Sequence, residues 1–298
     1  MTAENKRKLG YLLLLVLAII YVQVIIGGIT RLTGSGLSMT DWKIVTGTIP
    51  PIGDAEWQVE FDQYKSSPQY EKLNKGMNLT EFKGIYFWEW LHRVWGRWGF
   101  VVILGIFLWF WLRKKLDAVA TGRFLTVLIL YIAQGLLGWF MVKSGLTDMP
   151  WVSHYRLTAH LMLAIFLFAY ILWFVAELFV PKEQLISSSG LRKFLTGIII
   201  LTIIQIVFGG FMSGLHAAQY YPTWPDMNGQ IVPTELFAMQ PWLINFVENR
   251  ATIQFTHRGI AYVLFVLILV FCWEARPVSL KKDNPIFKRT LTALPFVL

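Results

Sequence analysis

The sequence predicts an all-α polytopic membrane protein whose second half repeats the first. Composition, charge placement and an internal repeat lead to that reading. The 298 residues are 55% hydrophobic and 15% charged, where a soluble domain carries about a quarter charged residues, and the mean hydropathy is +0.52. Several apolar runs reach the roughly 20 residues that cross a bilayer as helices.

The net charge of +9 is distributed in a way that sets orientation. Lys6, Arg7 and Lys8 precede the first apolar run, and Arg113, Lys114, Lys115 and Arg123 follow the second. Lys182, Arg192 and Lys193 separate the fourth and fifth; Arg276, Lys281, Lys282, Lys288 and Arg289 follow the sixth. Alternate short loops are basic, the positive-inside pattern, so the N-terminus is expected in the cytoplasm and no nucleic-acid partner is implied. The one cysteine, Cys272, lies inside an apolar run and builds neither a disulfide nor a thiolate metal site within one chain. The first run follows a short basic leader, exceeds a signal h-region and shows no A-x-A-like cleavage site, so it reads as a retained helix. With no transit sequence before it, a bacterial plasma (inner) membrane is the expected location.

Taken in order, helix 1 is expected over residues 9–29. A long outer loop follows to residue 83, opening Arg31-Leu-Thr-Gly-Ser-Gly-Leu-Ser-Met-Thr-Asp-Trp-Lys43; a loop of this length is commonly functional, such as a lid. Helices 2, 3 and 4 are expected over 84–112, 124–142 and 152–179, and helix 5 over 194–212. A second outer loop holds Tyr220-Tyr-Pro-Thr-Trp-Pro-Asp-Met-Asn-Gly229, and helix 6 spans 251–273. Residues 290–298 read as the first turns of a seventh helix, so the chain reads as a fragment or a natural truncation.

The repeat pairs Gln23-Val-Ile-Ile-Gly-Gly28 with Gln205-Ile-Val-Phe-Gly-Gly210, an offset of 182 that also aligns Trp42 with Trp224 and Pro51 with Pro233. Further on, His92-Arg93 matches His257-Arg258 at an offset of 165, the first loop being longer. If the repeat unit is four helices, residues 1–180 form one half and residues 181–298 an incomplete second.

The chemistry lies near the outer ends of the even-numbered helices. His92, His160 and His257 sit about two turns inside those ends. Buried polar groups in lipid are rare and usually functional, and neutral imidazole is the usual axial donor to haem iron. Hydrogen-bonded core histidines are the alternative. Small residues beside these histidines (Gly96, Gly99, Ala164, Ala261) leave room for a flat macrocycle, or simply for close helix packing. A zinc site would need three or four ligands converging tightly. His154 lies off the His160 face and His216 in an outer loop, so neither is a ligand candidate. Arg31, Arg93, Arg156 and Arg258 lie at the outer boundary, where they snorkel to head groups or pair with haem propionates. Glu89 discriminates: it shares a helix face with His92, three residues on, while Gln254 stands at the matching place before His257. Desolvation favours the neutral form of a buried carboxyl and can bring it into useful acid–base range. One repeat therefore reads as the reactive half and the other as the half that holds a cofactor.

These motifs together resemble the haem A synthase family, in the branch without a cysteine pair in the first outer loop. They are Gly27-Gly28-Ile-Thr-Arg-Leu-Thr-Gly-Ser-Gly-Leu-Ser38, Glu89-Trp-Leu-His-Arg93, Tyr155-Arg-Leu-Thr-Ala-His160, Tyr221-Pro-Thr-Trp-Pro-Asp-Met227 and Gln254-Phe-Thr-His-Arg258. The resemblance implies two pseudo-repeated four-helix bundles, the second incomplete here, and oxidation of the haem O C8 methyl group to the formyl group of haem A through hydroxylated intermediates. It implies Glu89 as the catalytic acid, His92 and His160 as axial ligands of the substrate or product haem, and His257 as a ligand of a haem b cofactor. The family's remaining ligand histidine lies on an eighth helix, beyond residue 298. Haem O and membrane lipid are the implied partners. Haem O synthase is a candidate from pathway order alone, a homo-oligomer is another candidate, and no residue identifies the electron acceptor. Two other readings stand beside this one. A non-catalytic b-type cytochrome explains the histidines but not the Glu89/Gln254 asymmetry; a transporter explains only the repeat and the polar groups at membrane depth.

Overall fold

The computed structural model describes every residue except 42–45, 148, 182, 184, 282–284 and 295–298. Trp42 of the repeat, Lys182, Lys282 and the last four residues of the expected seventh helix lie outside the described residues. The described chain is helical, with six helices long and apolar enough to cross a membrane, and it divides into two compact units, Met1–Val180 and Pro181–Leu298.

In the first unit the long helices are α1 (Ala3–Leu32), α4 (Leu79–Leu112), α5 (Ala118–Lys143) and α6 (His154–Phe179); between α1 and α4 lie the short α2 (Asp54–Lys65) and α3 (Pro68–Lys72). The second unit comprises α7 (Ser189–Gly214), α8 (Ala217–Tyr220), α9 (Asn245–Glu248), α10 (Arg250–Lys281) and α11 (Pro285–Ala293).

Several helices begin earlier than their apolar stretches, because capping rather than hydropathy sets a helix end. The Thr2 hydroxyl accepts from the Asn5 amide, so the basic leader forms the first turns of α1. Asn78 and Glu81 form a reciprocal capping box that starts α4 five residues before Gly84. Asp117 caps α5, and Ser188 caps α7. The last helix also differs from expectation: α11 starts at Pro285 rather than near Thr290, a position that suits proline because no intrahelical N–H is needed there.

The first unit is a four-helix bundle: α1 packs on α4 and α6, and α5 on the same two helices. Its apolar core takes Leu9, Leu13, Val16, Leu17 and Ile20 from α1, with Ile103, Ile106, Phe107 and Phe110 from α4. Phe124, Val127 and Leu128 of α5 join Leu167, Ile171, Phe174 and Val175 of α6. On all four helices this core stops short of the layer holding Gln23, His92, Gln134 and His160. Outward positions are also apolar, among them Tyr21, Val101, Trp111, Ile129 and Trp173, as a lipid-facing surface requires. In the second unit α7 packs along α10, with Ile198, Leu264, Ile268 and Phe271 between them.

The long loop between α1 and α4 carries structure of its own. Phe61 and Tyr64 of α2 stack with Phe82 and Tyr86 of α4 and with Met39, all buried. Asn74 donates to the Tyr64 hydroxyl at 2.6 Å, that hydroxyl donates to Gln69, and the Gln69 amide reaches the Gly34 carbonyl at 2.9 Å. Burial pushes the Tyr64 phenol up to about 12. The result is an aromatic cap seated on the N-terminal end of α4 and tied to the Gly34–Asp41 segment through Met39 and the Gly34 carbonyl. Gly34 itself has φ +67 and ends α1 in a left-handed turn.

Candidate functional site

Three histidines share one local architecture, each built from a helix pair. In the first pair, α1 carries Gln23 and Gly27 four residues apart, hence on one face. The Gln23 amide nitrogen lies 3.0 Å from His92 Nδ1 and donates to the His92 carbonyl at 3.0 Å. A Cβ on Gly27 would stand 2.9 Å from His92 Cε1, so only glycine lets the imidazole edge rest on the helix. In the second pair, Gln134 of α5 reaches His160 Nε2 at 3.3 Å and the His160 carbonyl at 3.0 Å, while a Cβ on Gly138 would stand 2.9 Å from His160 Cε1. In the third, Gln205 of α7 reaches His257 Nε2 at 3.4 Å, and a Cβ on Gly209 would stand 3.1 Å from His257 Cε1.

His160 Nδ1 and His257 Nδ1 are buried without a hydrogen-bond partner. Buried polar atoms are nearly always paired, so each is a donor nitrogen held open in an apolar setting. His92 and His160 belong to the same bundle, above the level where its apolar core ends. The open nitrogens of His160 and His257 fit axial ligation of an iron porphyrin, while both ring nitrogens of His92 lie within 3.3 Å of the Gln23 amide nitrogen. Among the described residues no three His, Cys, Asp or Glu side chains converge on one point.

Glu89 lies one turn before His92 on α4 and is 2% exposed. One carboxylate oxygen accepts from the Ser38 hydroxyl and the Met39 amide, both at 2.7 Å; the other pairs with Arg93. Arg93 also donates to the carbonyls of Met39 at 3.0 Å and Asp41 at 3.2 Å. The carboxylate and guanidinium thus bracket the segment that follows α1, and Glu89 is held by Ser38 and Met39 of that segment and by Arg93. The buried acid expected from sequence is a carboxylate surrounded by donors.

The second unit builds a matching arm. Arg258 donates to the carbonyls of Tyr221 at 3.1 Å, Thr223 at 2.8 Å and Asp226 at 2.8 Å. The donors around Gln254 fix its amide with the oxygen toward Arg258, accepting from Nη2 at 3.0 Å and Nε at 3.2 Å. The offset of 182 carries Met39 onto Tyr221 and Asp41 onto Thr223. The two arginines therefore hold equivalent carbonyls.

The similarity is not confined to these motifs. The model of the cytochrome oxidase assembly protein family matches residues 10–298. The haem A synthase of Rhodospirillum centenum is 44% identical over 275 residues, covering 92% of this chain and 74% of that protein. That of Nitrosomonas eutropha is 42% identical over 284 residues, covering 93% and 79%, and that of Flavobacterium johnsoniae 40% over 301, covering 100% and 88%. The chain belongs to the cytochrome oxidase assembly protein family.

Within this family member the other candidate residues take varied positions. Arg156 of α6 donates to the Phe140 carbonyl at 2.8 Å and lies over the Phe140 ring. Arg31 sits in the last turn of α1. His154 begins α6 with its ring on Tyr155, and His216 occupies a left-handed position after α7. Gly96 and Gly99 admit neighbouring side chains: Gln23 faces Gly96, and Tyr131 packs against Gly99 and donates to the Gly96 carbonyl at 3.0 Å. The sequence reading missed Gln134 and Gly138. Their signal was present as Gln134-Gly-Leu-Leu-Gly138, the Gln-x-x-x-Gly spacing of the other two helices without the second glycine of the pair. It also did not anticipate that Arg93 and Arg258 hold loop carbonyls.

Proposed function

We propose that this protein is a haem A synthase, an oxidoreductase that converts the C8 methyl group of haem O to the formyl group of haem A through hydroxylated intermediates. The observation that carries the reading is the pair His92 and His160, cradled in one four-helix bundle directly above its packed core, in a chain similar throughout to haem A synthases. In this reading His92 and His160 hold the substrate haem, and His257 holds a haem b that supplies one-electron redox chemistry. Residues 1–180 are the catalytic half and residues 181–298 the cofactor half.

Glu89 is the catalytic carboxylate of the proposal. Ser38, Met39 and Arg93 fix its place, one turn from His92, so its negative charge is preorganised beside the substrate rather than assembled during reaction. It balances positive charge that develops as the methyl carbon is oxidised, or takes the proton that carbon releases. Arg31 and Arg156 are the propionate partners that suit this placement; Arg93 and Arg258 hold the loops. Alternation of basic loops supports a plasma-membrane protein with a cytoplasmic N-terminus.

The test is to express the full chain with a haem O source and separate the extracted haems chromatographically. Haem A, or its hydroxylated precursor, is the expected product. Absence of both from a chain that has bound haem overturns the proposal. Glu89→Gln is expected to retain bound haem while losing product.

A further inference from the structure

We infer that Gln23, Gln134 and Gln205 are positioning residues for His92, His160 and His257, and that the Gln-x-x-x-Gly helix with its histidine helix is the true repeating unit of the site. The inference rests on the proposed haem-binding role of those histidines. It starts from an arrangement that occurs on α1 with α4, on α5 with α6 and on α7 with α10. Two features make it a built device rather than ordinary packing. In the first unit a single amide nitrogen contacts both the ring and the backbone carbonyl of the same histidine. The bond to the backbone carbonyl anchors the amide on the histidine helix, so the ring of that histidine is held beside a fixed amide. The glycine four residues on removes the Cβ that would push the ring edge away.

The amide oxygens of Gln23, Gln134 and Gln205 are all buried without partners. An amide held only for packing would not leave the same oxygen orphaned three times. With the nitrogen occupied, each oxygen is an unused acceptor beside the same imidazole, where it would take a ring N–H while the other ring nitrogen held the iron. Partners of this kind fix the tautomer and raise the basicity of a ligating histidine, and their loss typically costs about 10–100-fold in metal affinity. The cradle of the second unit is looser: Gln205 meets the ring at 3.4 Å. Its removal is expected to matter least.

The experiment uses the full chain purified in detergent and loaded with haem B as the probe. Retention is followed by titration, coordination by absorption and electron paramagnetic resonance, and potential by redox titration. Gln23→Leu and Gln134→Leu are expected to weaken haem retention by about 10–100-fold and convert low-spin iron to a high-spin mixture; Gln205→Leu should do so less. Gln134→Glu keeps the shape and is expected to restore low-spin coordination with a lower midpoint potential, because a carboxylate pulls harder on the ring proton. If the Leu variants fail to accumulate, the Glu variant decides: an unchanged potential overturns the inference. Leu variants that match wild type in retention, spin state and potential overturn the inference alone. A wild-type chain that takes up no haem, or takes it up equally after His160→Ala, overturns the functional reading and the inference with it.

Discussion

The Glu89–Arg93 and Gln254–Arg258 arms hold equivalent backbone carbonyls with the same guanidinium, yet one arm is a buried ion pair and the other a neutral amide with a cation. In the first unit the carboxylate also takes the Ser38 hydroxyl and the Met39 amide, and an aromatic cap of α2 and α3 closes over it. In the second, Gln254 reaches only the guanidinium through its oxygen. Holding a loop needs the arginine alone, since the second arm does so with no acid. The acid in the first arm adds bonds to Ser38 and Met39 that the second arm lacks, and its charge is the feature that the proposed chemistry uses.

The sharpest way to break this comparison is to make the arms alike. Glu89→Gln should lower haem A formation by about 10²–10⁴-fold, the usual worth of a positioned acid–base group, with haem content unchanged by absorption. Activity within about threefold of wild type would show that charge does not distinguish the two arms. Next in size is Arg93→Leu, which strands the buried Glu89 carboxylate and should cost about 3–5 kcal/mol in detergent thermal unfolding. Arg258→Leu leaves only a neutral amide unpaired and should cost about 1–3 kcal/mol. Equal costs would contradict the ionic description of the first arm, and Glu89→Gln should relieve most of the Arg93→Leu penalty. Gly27→Ala and Gly209→Ala should each cost about 1–3 kcal/mol by overpacking, more for Gly27, whose added Cβ meets the imidazole at 2.9 Å rather than 3.1 Å.

The smallest effect concerns the cap, which in this form covers the first arm only. Burial raises the Tyr64 phenol from 10.0 to about 12. As pH rises past 10.0 the unfolded chain releases this proton before the folded one, so the folded state holds more protons and stability falls with pH. The contribution is complete below 10.0 and lost towards about 12. Limited proteolysis between α2 and α3 should therefore accelerate across that window, and Tyr64→Phe should flatten the response. An identical pH response in Tyr64→Phe would assign the loosening to another group.

The spans were legible because hydropathy is a local sum: all six expected membrane helices correspond to long helices. Their ends were less so, since Thr2, Asn78, Asp117 and Ser188 act through single side-chain bonds that a window average erases. The α2–α3 cap was hidden because its acids and bases are mixed, and its apolar face becomes coherent only against Phe82 and Tyr86 of α4. His92, His160, His257 and Glu89 stood out because ionisable groups are rare in apolar runs. Gln134 did not, and Gln23 and Gln205 stood out only as members of the repeat, since an uncharged amide signals no chemistry until its partner is known.

The sequence by itself determined the membrane class, the repeat of its motifs and the placement of rare ionisable residues within apolar runs. Composition, charge order and motif spacing are all properties of the chain read along its length. Only the tertiary structure decided which groups meet: that Arg93 and Arg258 hold loop carbonyls, that Glu89 is surrounded by donors, and that each histidine lies between a glutamine and a glycine of another helix. The glutamine–histidine contacts join residues 26 to 69 positions apart, and helix packing rather than sequence spacing sets distances across a bundle.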